Sequence, residues 1–389
     1  MWEITAPRKI AAGEGALEYL KQVEGNRALI VTGKTVKKMG FADKVTNFLK
    51  EAGIGSEVLE VEPEPSVETV INGAQFARNY EPDLIVGLGG GSNIDAAKAI
   101  WVLYERPDLE TGSINPFIKL GLRKKARLIG VPTTSGSGSE ATWATVITNL
   151  AEERKMELAN KELVPDIAIV DPELPRAMPR KLVAETGFDA LTHAVEAYVA
   201  TVGNDFSDAL AIKAIQLIFK YLRRSYGNRE DIEAITKMHM AATMGGMAFS
   251  NSDVAIVHAL GHVTGGVLHV PHGRAMAIIL PYSVEYNAKV KVATQKYAEI
   301  AKAVGIEAKT DNKALEKFVE ALRQLRRELE EPASLKEAGI PQEEFEKKLD
   351  DLANKAIKSV VLRANPRPLN LEEARKLFTY IYEGRKVDF

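Results

Sequence analysis

Short apolar, β-branched runs alternate with helical patterns along the first half of the chain. ALIVTGK (28–34), SEVLEVEP (56–63), LIVGLGGG (84–91), RLIGVPTT (127–134) and IAIVDPEL (167–174) read as strands. TWATVITNL (142–150) reads as a further strand with an edge character. FADKVTNFLKEAG (41–53) has helical spacing and a glycine stop, and SVETVINGAQFARNY (66–80) is a helix with Ser66 at its cap. The opening ITAPRKIAAG suits a β-hairpin or two edge strands. Strands alternating with helices predict βαβ units and a parallel sheet, with ligands at the C-terminal strand ends.

The pattern changes near residue 178, between Pro175 and Pro179. Helical periodicity then dominates, as in 180–200, 207–227, 232–249, 313–330, 343–359 and 371–384. The predicted organisation is an α/β domain over 1–178 followed by an all-α domain over 179–389. No 20–50-residue repeat or low-complexity segment interrupts it. The basic stretch around 222–229 and the mixed charges of 321–331 read as solvated helix surfaces.

Histidine placement sharpens the picture. The chain has six histidines, and His258, His262, His269 and His272 fall within fifteen residues. Asp189 and His193 are four residues apart, as are His258 and His262, so each pair can share one face of a helix. His272 follows Pro271, just past a Gly-Gly turn. One carboxylate with three imidazoles suits Fe(II), Zn(II), Ni(II) or Co(II). The bland alternative is a set of ordinary core and surface histidines, which the two i,i+4 pairs and the Pro-His-Gly disfavour.

Two loops suggest a nucleotide. GLGGGSNIDAAKAI (87–100) leaves a strand and opens a helix, where glycines admit a ligand to the backbone and free N–H groups face an anion. Within it Ser92 and Asp95 also match a capping box. VPTTSGSGSEAT (131–142) follows another strand and carries the hydroxyls of Thr133, Thr134, Ser135 and Ser137. A pair of tight turns is the plainer reading of both loops.

Composition narrows the function classes. Hydrophobic residues make up 46% and charged residues 27% of 389, an ordinary globular balance long enough for two or three domains. A net charge of −2 argues against a nucleic-acid partner. With no cysteine, disulfides, thiolate metal sites and a cysteine nucleophile are excluded. MWEITAPRKI lacks a signal-peptide pattern and no apolar run reaches membrane-spanning length, so a cytoplasmic protein is expected. Abundant Glu, Lys and Arg without Cys also fit a thermophile.

Taken together these stretches resemble the iron-containing (group III) alcohol dehydrogenase family over nearly the whole chain. GGGSNIDAAKA, VPTTSGSGSEAT, GFDALTHAVEAY, HALGH with PHG, and NPRPLN (365–370) carry the resemblance. It implies a Rossmann-like nucleotide domain, an all-helical metal domain in a dehydroquinate synthase-like architecture, and an active site between them. It implies Asp189, His193, His258 and His272 as metal ligands, and His262 as the catalytic histidine that binds substrate or relays a proton. Gly90, Gly91, Ser92 and Asp95 would serve the pyrophosphate loop, Thr133, Thr134 and Ser137 the nucleotide, and Lys155 the cofactor ribose. Phe249 would border the substrate. His239 reads as a packed helix residue.

Two departures from the family pattern inform specificity. Where NAD-selecting members carry Asp after the first nucleotide strand, this chain has Gly33 and Lys34. A carboxylate there repels a 2′-phosphate, whereas Gly leaves room and Lys adds positive charge, so NADP(H) is expected over NAD(H). Ala144 replaces an Asn of some relatives, suggesting a less polar pocket. The expected reaction is reversible hydride transfer between a primary alcohol and NADP+, with Fe(II) as metal and Zn(II) or Ni(II) also accepted by the set. A homodimer with a small alcohol or aldehyde as its only other partner is expected. A polyol dehydrogenase, a dehydroquinate synthase-like lyase and a non-enzymatic nucleotide module are the alternatives. The lyase would need phosphate-binding basic residues, of which Arg274 is the main one near the histidines.

Overall fold

In the computed structural model, which describes residues 3–151 and 154–389, Thr5–Ala177 and Met178–Phe389 form two separate units. The first is built on a six-stranded parallel sheet. Its strands are β1 (Lys9–Ala12), β2 (Arg27–Gly33), β3 (Gly55–Val61), β4 (Leu84–Gly89), β5 (Arg127–Pro132) and β8 (Ile167–Val170), in the order β1-β8-β5-β4-β2-β3. Every residue of β4 and β8 is buried, as expected where helices cover both faces of a parallel sheet. Helices α1 (Lys34–Lys38), α2 (Phe41–Glu51), α3 (Val67–Tyr80), α4 (Gly91–Glu105) and the short α5 (Glu173–Arg176) complete the unit. Ser66 caps α3 as expected, its Oγ accepting from Thr69 N.

The strand order locates the ligand end of this sheet. Chain direction across the sheet reverses between β2 and β4: β3 lies on one side of β2, and β4, β5 and β8 follow on the other. Such a reversal opens a crevice at the C-terminal strand ends. Gly33 ends β2 and Gly89 ends β4, so both glycine segments flank the crevice.

Three sequence expectations are corrected here. The opening segment forms one edge strand, β1, paired parallel to β8 rather than a hairpin. IAIVDPEL stays extended only to Val170 and turns into α5 after Pro172. The strand at 142–150 shortens to β6 (Ala144–Asn149) and leaves the main sheet. It pairs antiparallel with β7 (Arg154–Ala159), a strand whose half-polar KMELA segment gave no strong sequence signal.

The second unit is helical. Among the described residues it contains α6 (Arg180–Val199), α7 (Asp205–Gly227), α8 (Ile232–Phe249), α9 (Ile256–Leu268), α10 (His272–Asn287), α11 (Lys291–Ala303), α12 (Asp311–Glu328), α13 (Gln342–Ala356) and α14 (Leu371–Glu383). Fifteen of the twenty residues of α6 are buried, including Asp189, Thr192, His193 and Glu196. It is thus a central helix that carries polar groups into the core.

The break between α9 and α10 is not the Gly-Gly turn expected from the sequence. Gly265 and Gly266 lie inside α9, and the chain leaves the helix at His269, in the left-handed region with φ 55°. Pro271 explains this: it lacks an N–H and disfavours helical geometry at Val270, so α9 stops and α10 starts afresh at His272.

Candidate metal centre and nucleotide loops

Three helices converge on one carboxylate oxygen. Asp189 and His193 lie on α6, His258 and His262 on α9, and His272 is the first residue of α10. Gly273 makes the last approach possible. A Cβ there would lie 2.2 Å from the carbonyl oxygen of Glu185, so only glycine lets α10 start against the backbone of α6.

Asp189 Oδ1 is 3.3 Å from His272 Nε2, 3.8 Å from His193 Nε2 and 3.9 Å from His258 Nε2. Donor atoms of Asp189, His258 and His272 lie mutually within 4.8 Å. His193 stands outside that three-way cluster, its ring stacked 4.5 Å from Phe249 and 4.6 Å from His258. His262 adjoins the group, its ring 5.6 Å from His258 and 5.2 Å from His272. Phe249 ends α8 against His193.

The donor set fits a divalent cation. Ligands about 2.1 Å from a tetrahedral ion sit roughly 3.4 Å apart, close to the spacings around Asp189. Asp189 Oδ1 and His258 Nε2 are buried without a hydrogen-bond partner, a costly state that a cation would relieve. Protonation also suits ligation. Burial alone would raise the Asp189 carboxyl, but the imidazoles of His193, His272 and His258 outweigh it and hold the group below the usual range. Burial and the neighbouring imidazoles push His258 well below its ordinary value, and burial lowers His193. A carboxylate held ionised, beside His193 and His258 nitrogens that resist protonation, is ready to bind a metal.

Sequence reasoning did not single out Glu196. It lies on α6 seven residues after Asp189 and is buried. Its Oε2 is 2.6 Å from His258 Nδ1, and its Oε1 accepts from Val257 N at 2.5 Å. Burial pushes its carboxyl up to about 7, opposed by backbone donors from Ala255, Val257 and His258. The signal was available: 189, 193 and 196 follow one helical stripe.

In the sheet unit, the two predicted loops meet. Thr133 N donates to Gly89 O at 2.9 Å, and a Cβ on Gly91 would lie 2.8 Å from Ser137 Oγ. Thr134 lies beside Gly90. Helix α4 begins at Gly91 behind Gly90, a cap residue without a side chain, leaving its first N–H groups for an anion, and Ser92 is exposed in its first turn. These features fit a nucleotide phosphate.

Other assignments change meaning. Ser92 and Asp95 form no capping box, because α4 starts two residues too early for Ser92 to cap it. Asp95 instead accepts from Ser139 Oγ at 2.6 Å and Val146 N at 2.9 Å, so it braces the second loop. Lys98, fully buried, donates to Ser139 Oγ, Thr142 Oγ1 and the carbonyl of Ala144. Gly33 does not face empty space: a Cβ there would lie 2.9 Å from Asn93 Nδ2, so the glycine makes room for Asn93. Lys34 is exposed in the first turn of α1. Lys155 on β7 pairs with Glu64 at 3.1 Å. His239 is buried on α8 and His269 is the exposed cap of α9.

Comparison with known proteins agrees with this geometry. Residues 7–172 match the family described as iron-containing alcohol dehydrogenase, and 183–382 its C-terminal counterpart, the Fe-containing alcohol dehydrogenase family, C-terminal. The chain belongs to the iron-containing alcohol dehydrogenase family. It is an NAD(P)-dependent oxidoreductase of alcohols. An NADPH-dependent butanol dehydrogenase of Clostridium saccharobutylicum is 45% identical over 392 residues, covering 100% of both chains. An iron-containing alcohol dehydrogenase from Thermococcus thioreducens has a similar structure, with TM-score 0.90 and 34% identity over 99% of this chain and 100% of that one. A structure of 1,3-propanediol oxidoreductase gives TM-score 0.92 and 32% identity over 98% and 100%. The chain also spans 43% of the longer bifunctional aldehyde-alcohol dehydrogenase of Escherichia coli.

Proposed function

We propose that this enzyme interconverts short primary alcohols and aldehydes with NADP(H), using Fe(II) held by Asp189, His193, His258 and His272. The carrying observation is the oxygen of Asp189 with three imidazole nitrogens 3.3–3.9 Å away, most of it buried. The bound metal would supply Lewis-acid polarisation of the substrate oxygen. His262, beside this cluster on α9, is the group to take the alcohol proton. Phe249, stacked on His193, would present an apolar surface to the substrate chain. The loops at 89–91 and 133–137 would orient the nucleotide, and the cofactor performs the redox step.

NADP(H) preference rests on the exposed positive charge of Lys34 at the β2 end of the crevice. The NADPH dependence named for the Clostridium relative supports it. The likeness to 1,3-propanediol oxidoreductase favours a diol as the second reading. A lyase acting on a phosphorylated substrate is disfavoured, because Arg274 is occupied by Glu331 at 3.0 Å and Glu185 at 3.5 Å.

The test is anaerobic purification, Fe(II) reconstitution, and assay of C2–C6 alcohols and 1,3-propanediol with each coenzyme. Oxidation of 1-butanol with NADP+ in proportion to bound Fe(II) is expected. Turnover of the diol alone would move the second reading forward, and metal binding without any alcohol turnover would sink both.

A further inference from the structure

We infer that Glu196 is a positioning residue that sets the ring orientation and tautomer of His258 for metal binding. This rests on the metal centre proposed above. The two carboxylate oxygens of Glu196 are divided between two tasks. Oε1 accepts from Val257 N, a donor in the first turn of α9. The cap residue of that helix is Ala255, which has no side chain to serve it, so Glu196 on α6 caps α9 from outside. Oε2 lies 2.6 Å from His258 Nδ1.

The consequence is directional. When Nδ1–H donates to this carboxylate, the lone pair is confined to Nε2, the nitrogen that faces Asp189 Oδ1. The negative partner also makes Nε2 a stronger donor to a metal. Glu196 is therefore not a fifth ligand, since it stands on the opposite edge of the His258 ring. One carboxylate ties the start of α9 and the imidazole it carries to α6, the helix that also bears Asp189 and His193. His193 has no such partner: its Nδ1 makes no hydrogen bond among the described residues, and its ring is held by stacking between Phe249 and His258. The metal affinity of this site thus depends unequally on its imidazoles, with His258 the oriented one.

The experiment titrates Co(II) into the metal-free full-length protein and reads affinity together with the visible ligand-field bands. Wild type, Glu196→Gln, Glu196→Leu and His258→Ala are compared, with circular dichroism as a fold control. Glu196→Gln keeps a neutral acceptor and should bind about 10-fold more weakly with shifted bands; Glu196→Leu keeps none and should lose about 100-fold. A purely structural cap would lower the melting temperature of the metal-free variants yet leave affinity and bands alone, and that result overturns the inference. If Glu196→Leu does not fold, unchanged Co(II) affinity and bands in Glu196→Gln overturn it equally. Loss of binding in His258→Ala beside intact binding in both Glu196 variants would defeat the Glu196 assignment alone. No Co(II) binding by wild type would defeat the metal centre and this inference together.

Discussion

Two single residues carry most of the predicted chemistry outside the ligand set. His262 sits one helical turn after His258 with its ring 5.2 Å from that of His272, and in the proposed reaction it serves the substrate rather than the metal. Replacing it with alanine should lower kcat by at least about 100-fold, the usual worth of a positioned acid–base group. Metal content, read by elemental analysis, should stay at the wild-type value. Lys34 is the residue proposed to set coenzyme choice. Lys34→Glu should raise KM for NADP+ by roughly 10-fold and leave KM for NAD+ nearly unchanged, because a surface charge opposite a phosphate is worth about a kcal/mol or more. Equal effects on both coenzymes would mean that Lys34 does not meet the 2′-phosphate. The sequence singles out Gly33 for the same reason, but the carboxamide of Asn93 fills the space a side chain would need.

At the scale of elements, helix α4 and strand β6 are joined by a buried ionic cluster. Lys98 reaches Ser139, Thr142 and Ala144, and its Nζ is 3.9 Å from Asp95 Oδ1. Asp95 in turn holds Ser139 and Val146. This network braces the second proposed nucleotide loop against the helix that follows the first. Lys98→Met leaves the Asp95 carboxylate buried beside a methyl group, and should cost about 3 kcal/mol or more in urea unfolding. The pH dependence has a definite sign. Burial lowers the Lys98 ammonium to about 8, against 10.5 for an ordinary lysine. Between those values the unfolded chain binds more protons than the folded one, so this group adds stability as pH rises from about 8 to 10.5. Wild type minus Lys98→Met should show that rise, and a flat difference would mean that Lys98 is not protonated and buried as described.

For the whole molecule, the division into a sheet unit and a helical unit predicts separable ligand effects. Every proposed metal ligand lies in Met178–Phe389, and both proposed nucleotide loops lie in Thr5–Ala177. A ligand stabilises the state it binds by about 2.7 kcal/mol at 100 times its Kd. Chelation should therefore increase hydrogen exchange in α6, α9 and α10, while NADP+ should protect the segments 89–95 and 131–140. Exchange mass spectrometry reads both, and chelation that loosened the sheet segments instead would contradict the assignment of the metal to the helical unit. No helix among the described residues is long and apolar enough to cross a membrane.

Local pattern alone determined the succession of strands and helices, the change of class near residue 178, and the grouping of acid and imidazole at helical spacing. Those features depend on neighbours three or four residues apart, or on alternation along one strand, which the linear order records. The glycine loops were legible for the same reason, since a strand, a turn and a helix start are contiguous. Only the tertiary structure decided the rest. Asp189 and Glu196 stand two turns apart on α6, but their common target, His258, arrives from a helix more than sixty residues later. The close passage of Gly273 over Glu185 O, the wedging of Asn93 beside Gly33, and the diversion of Asp95 from cap to brace depend on packing between distant elements. A residue's partners across such contacts are set by how helices and strands fill space, and that information is spread over the whole chain rather than held in any one stretch of it.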